Sequence, residues 1–102
     1  MARKKYNKLV RDLIPQIIEE SGKKCKWHKA PGRSLPKYLA KKLVEEAKEF
    51  QENPSNEELA DVMEVIYTIE QTMGLNRYAR MGLKACERGR FEEHIILDWV
   101  ED

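Results

Sequence analysis

Several things are scarce in this chain of 102 residues, and each scarcity narrows what it can be. Two cysteines, Cys25 and Cys86, cannot build a disulfide framework and fit reduced thiols in a cytoplasmic protein. No apolar run approaches the ~18 residues of a membrane span. The basic start, Met1 to Lys5, is followed by no apolar core segment, so no signal peptide is expected. Excess charge is missing too: acids and bases nearly cancel at +1, which argues against a nucleic-acid polymer as partner. Histidine is limited to His28 and His94, neither in a Glu-x-x-His pair, which disfavours a ferritin-like di-iron site. No internal repeat or low-complexity segment is present, and the length suits one domain.

What the chain does have is a helical hairpin between Ser34 and Met73 with acids where a core should be. An α-helix advances about 100° per residue. On that wheel Leu35, Leu39, Leu43 and Phe50 share one arc; Glu46 falls inside it and Glu49 at its edge. In the next helix Val62, Val65, Ile66, Ile69 and Met73 form the apolar arc, with Glu58 inside and Asp61 bordering it. Ser34 is expected to cap the first helix, which ends near Asn53 before Pro54. Ser55 to Glu58 reads as a capping box for the second, and the tight link makes the pair antiparallel.

A carboxylate on an apolar face must be paired, protonated or bound to a cation. No Lys or Arg occupies these arcs. Residues three apart on a helix project from nearly one face, so each helix can offer two carboxylates. Four oxygen donors suit a hard divalent cation, magnesium or manganese. The plain structural alternative is a solvated helix surface, and Glu45, which points off the apolar arc, fits it.

Around the hairpin, Ile14, Ile17 and Ile18 mark a short helix with Pro15 in its first turn and Gly22 as its stop. Asn76 is expected to cap a last helix carrying Tyr78, Met81, Leu83 and Ala85, closed by Gly89, with Gly82 threatening its continuity. Lys24 to Ala30 and Phe91 to Val100 alternate, which predicts a small two-stranded antiparallel ribbon leaning on the helices. The apolar arcs are too broad for the short pieces to cover. The expected fold is therefore mainly all-α, an antiparallel helical hairpin that completes a four-helix-type bundle on dimerisation.

The acid motifs, EEAKE at 45–49 and ELAD at 58–61, resemble the signature of the MazG-type all-α nucleoside triphosphate pyrophosphatases. The opening YNKLVRDLIPQIIEESGKK and the closing KACERGRFEEHIIL look like a small stand-alone branch of that superfamily, labelled phosphoribosyl-ATP pyrophosphohydrolase-like. The resemblance spans nearly the whole chain, a single domain over 1–102. It implies magnesium-dependent hydrolysis of a nucleoside triphosphate or related nucleotide between the α- and β-phosphates, giving a monophosphate and pyrophosphate, with a house-cleaning role. By matching positions, Glu46, Glu49, Glu58 and Asp61 are the implied metal ligands, and Glu45 an outer or water-orienting acid. Lys8, Arg11, Lys84 and Arg88 are the implied phosphate-binding residues. A homodimer or higher homo-oligomer is expected. Two features depart from the family: a link of only eight residues between the motifs, Phe50 to Glu57, and Arg90 where the branch often has a second glycine. Two other functions compete: a non-catalytic metal- or partner-binding helical module, and true phosphoribosyl-ATP hydrolysis in histidine synthesis.

Overall fold

The structure, a computed structural model, describes residues 2–102. It contains four helices among the described residues: α1 (Ile14–Glu20), α2 (Leu35–Glu52), α3 (Asn56–Met73) and α4 (Tyr78–Arg88). Among the described residues no helix is long and apolar enough to cross a membrane.

Among the described residues the one packed pair of helices is α2 against α3. Leu39, 1% exposed, and Val65 are the buried apolar side chains, one from each helix and both from the predicted arcs. Glu46 is the third buried side chain among the described residues, so the hairpin closes over two hydrophobes and a carboxylate. Asn53 ends α2 ahead of Pro54, and Ser55 accepts a hydrogen bond from the Glu58 amide at 3.2 Å to start α3. Gly74, in the left-handed region at φ 65°, ends α3, a conformation that glycine adopts without a Cβ penalty.

The other helix ends differ from expectation in detail. Ser34 occupies the N-cap position of α2, but its hydroxyl donates to the Pro31 carbonyl at 3.1 Å instead of accepting from the helix. Ser21 is the C-cap of α1, and Gly22 follows it at φ 89°. Arg77 precedes α4, while Asn76 Oδ1 accepts from the Tyr78 amide at 3.0 Å. Helix α4 runs unbroken through Gly82.

The predicted ribbon does not form. Lys24 to Ala30 and Phe91 to Val100 are irregular, and no strand occurs among the described residues. His94 has φ 55°, a left-handed conformation in the middle of what alternation reads as a strand. Helix α4 packs on neither long helix, so nothing holds the two segments side by side. A lone two-stranded ribbon is marginal without such support. Nor does one chain make a bundle: it offers a single hairpin.

The segment before α1 does lie on the hairpin. Tyr38 of α2 donates to Asn7 Oδ1 at 3.3 Å, Lys8 pairs with Glu45 of α2, and Arg11 pairs with Asp61 of α3. Asn7 sits at φ 44°, a region asparagine tolerates better than most residues. These contacts lay two basic side chains beside the acids.

Candidate metal centre

Helical periodicity turns Glu46, Glu58 and Asp61 into the same space between α2 and α3. One carboxylate oxygen from each lies within 4.8 Å of the others. Glu46 is 7% exposed, and Glu58 and Asp61 are half-buried. Glu46 Oε2 and Glu58 Oε2 are buried and meet no hydrogen-bond donor. Folding ordinarily avoids such orphaned oxygens, because each keeps its desolvation cost uncompensated. Half of the predicted capping box explains the Glu58 position: its amide is used by Ser55 Oγ, leaving the carboxylate to the cluster.

The two remaining acids of the first motif stand beside this core. Glu49 is exposed and lies outside the three-carboxylate cluster. It is still within reach of Glu46: a carboxyl-to-carboxyl hydrogen bond with Glu46, then the Glu46 charge, push its pKa above the ordinary 4.5. Glu45 is held the other way. The hydrogen bond from Lys8 at 2.9 Å is the main reason its pKa falls below 4.5, with Lys42 adding to it. The same bond raises Lys8 above its usual 10.5.

Lys42 is the residue that wheel reasoning missed. Its Nζ donates to Glu45 at 3.3 Å and pairs with Glu46 at 3.1 Å, so an internal counter-ion does exist. The signal was available in the spacing, since Lys42 is three residues before Glu45 and four before Glu46. Arg11 closes the other side, 2.7 Å from Asp61. Lys84 and Arg88 do not join this group. They are exposed on α4 and make no ion pair among the described residues. The ion pair near α4 is between Arg77 and Glu70, which ties the start of α4 to the far end of α3.

The donor set fits a hard divalent cation. All ligands are carboxylate oxygens, two of the three residues carry a buried oxygen without a partner, and the cluster is compact enough for one ion to meet three acids. By themselves, fold and geometry define an all-helical protein with a carboxylate cluster of metal-ligating composition in its hairpin. A scan against protein-family models, a search of curated proteins and a search of solved structures each return no match to this chain.

Proposed function

We propose that this chain is a magnesium-dependent nucleotide pyrophosphohydrolase. It takes a nucleoside triphosphate or related nucleotide and adds water across the α–β anhydride, releasing a monophosphate and pyrophosphate. The observation that carries the reading is the triad of Glu46, Glu58 and Asp61 oxygens within 4.8 Å, two of the three residues each carrying an orphaned buried oxygen. The resemblance of the two acid motifs supplies the substrate class.

In this reading Glu46, Glu58 and Asp61, joined by Glu49, hold the cation. When bound, magnesium or manganese neutralises phosphate oxygens and lowers the pKa of a coordinated water. Glu45 stays ionised, because Lys8 and Lys42 depress its pKa. A depressed carboxylate is a weak base, so its part is to accept a hydrogen bond from the attacking water and orient it. Lys8 and Arg11 reach the site from the segment before α1, where they now neutralise Glu45 and Asp61. An entering phosphate chain offers them a second anion, and their charge then stabilises what develops on the leaving pyrophosphate. A phosphate role for Lys84 and Arg88 rests on the resemblance alone. The enzyme acts as a homodimer or higher homo-oligomer.

The test is pyrophosphate release from a panel of standard and modified nucleoside triphosphates, in magnesium and in EDTA. Release in magnesium alone, lost in Asp61→Asn with helicity retained, supports the reading. A folded protein that binds magnesium yet turns over no nucleotide overturns it and leaves a metal-binding helical module.

A further inference from the structure

A small pocket opens where the segment before α1 crosses the start of α2. Asn7, Ser34, Lys37, Tyr38 and Lys41 line it, and it encloses about 140 Å³. Pockets for whole drug-sized molecules begin at ~300 Å³, so this one suits a small group and not a nucleoside. No acid stands in its wall.

Its lysines differ from those at the carboxylate cluster. Lys8 and Lys42 are held by Glu45 and Glu46, whereas Lys37 and Lys41 make no ion pair among the described residues. Lys37 and Lys41 are four residues apart on α2 and share one face, and like charges at this spacing destabilise a helix. An anion between them turns that repulsion into attraction. Asn7 supplies a third donor. Its Oδ1 accepts from Tyr38 Oη at 3.3 Å, so its amide nitrogen is the end left to donate. The Ser34 hydroxyl proton is already given to the Pro31 carbonyl. Two ammonium groups and a carboxamide donor, with no carboxylate among them, suit a compact anion rich in acceptor oxygens: a phosphoryl group.

The pocket adjoins the carboxylate site by two routes. Along α2, Lys41 precedes Glu45 by four residues, about 6 Å of helix axis. Along the segment before α1, Asn7 is followed by Lys8, whose ammonium donates to Glu45 at 2.9 Å. Lys8 therefore stands between the pocket and the acids, and cationic groups line the way from one to the other.

We propose that this pocket binds one phosphoryl group, and that the group is the terminal phosphate of the nucleotide. The second half rests on the enzymatic reading; the first does not. Lys37, Lys41 and Asn7 then act as specificity residues that measure the length of the phosphate chain. A triphosphate cleaved at its α–β anhydride fills both the carboxylate site and the pocket, while a diphosphate leaves the pocket unused.

The experiment uses the full chain in two arms. In the first, inorganic phosphate is titrated in EDTA at constant ionic strength and followed by nitrogen-15 NMR. Wild type binds it saturably, and the Asn7 side-chain amide signals move with occupancy. Lys37→Ala/Lys41→Ala, with helicity retained, weakens binding at least tenfold, the factor that one charge-assisted hydrogen bond supplies. Should that variant fail to fold, Lys37→Gln and Lys41→Gln singly keep the helix and each weaken binding. No saturable binding to wild type, unmoved Asn7 signals, or binding indifferent to the lysines overturns the pocket. In the second arm, kcat/KM is measured in magnesium for a nucleoside triphosphate and its diphosphate. The double substitution lowers the triphosphate value at least tenfold and leaves the diphosphate value within twofold. An equal fall for both, or no fall for either, overturns the terminal-phosphate assignment. No turnover by wild type overturns the enzymatic reading and that assignment with it, while the phosphate titration still decides the pocket.

Discussion

Replacing Glu58 by Gln reverses the sign of its own effect when magnesium is added. The Glu58 carboxylate lies within 4.8 Å of oxygens on both Glu46 and Asp61. Two unit charges at 4.8 Å repel by about 3.5 kcal/mol at an effective dielectric constant of 20 and about 0.9 kcal/mol in water. Lys42 beside Glu46 and Arg11 beside Asp61 offset part of that repulsion. A net strain of about 1–2 kcal/mol is what remains reasonable for a half-buried site of this kind. The glutamine amide also gives the cluster a donor, able to reach an orphaned oxygen for about 1 kcal/mol more. The cap of α3 is untouched, because Ser55 uses the Glu58 backbone amide.

In EDTA, Glu58→Gln therefore melts higher than wild type, by at least ~4 °C, since 1 kcal/mol shifts a domain of this size by ~4–8 °C. In magnesium the order inverts. A cation at a thousandfold excess over its dissociation constant stabilises the wild-type protein by about 4.1 kcal/mol, more than the roughly 2–3 kcal/mol by which the variant leads in EDTA, and the variant, short of one ligand, gains little. Thermal unfolding followed by circular dichroism, at one protein concentration, reads both arms. A variant that melts lower in EDTA, or a wild type that magnesium leaves unmoved, refutes the reasoning that this cluster is a strained, cation-seeking site.

The first motif carries opposite pH signatures. Glu45 has its pKa lowered in the folded chain, so its stabilising pairing is present above 4.5 and is lost as pH falls through the folded value; Glu45→Gln flattens that acid limb in urea unfolding at pH 3 to 5. The effect is below about 1 kcal/mol, because the pair is partly solvated. Glu49 has its pKa raised, so its contribution favours folding below 4.5 and is lost as pH rises through the folded value; Glu49→Gln raises metal-free stability at neutral pH and leaves the acid limb in place. Leu39→Ala removes the most buried side chain and costs about 2–5 kcal/mol in urea unfolding; a change under about 1 kcal/mol would place the core elsewhere.

The hairpin was legible because its information is local. Apolar spacing in α2 and α3, Pro54 in the link and the Ser55 cap each act within a few residues, and all hold in the structure. The convergence of Glu46, Glu58 and Asp61 was legible for the same reason: once two helices are antiparallel, spacing sets which side chains meet. Lys42 was overlooked because a long side chain can sit off an apolar arc and still lay its head against Glu46. The ribbon failed because alternation is a weak signal without a turn to pair the segments, and His94 leaves the extended region. Lys8 and Arg11 reach the acids through an irregular segment with no period to read, so only the structure shows which carboxylate each one meets.

The charges at the site bear on how many cations it holds. Five carboxylates, Glu45, Glu46, Glu49, Glu58 and Asp61, face three basic groups, Lys8, Lys42 and Arg11. Their formal sum is −2, which one divalent cation neutralises. A second cation needs two further negative charges. Withdrawal of Lys8 from Glu45 and of Arg11 from Asp61 supplies them, and an entering phosphate chain is what would draw both away. The nucleotide-free chain is thus expected to bind one magnesium ion per site in a calorimetric titration, while Lys8→Ala/Arg11→Ala binds two, because hard cations follow the count of unpaired oxygen ligands. Two ions in the wild-type chain would show that Lys8 and Arg11 do not act as counter-ions, and one ion in both would show that the cluster is too small for a pair whatever its charge.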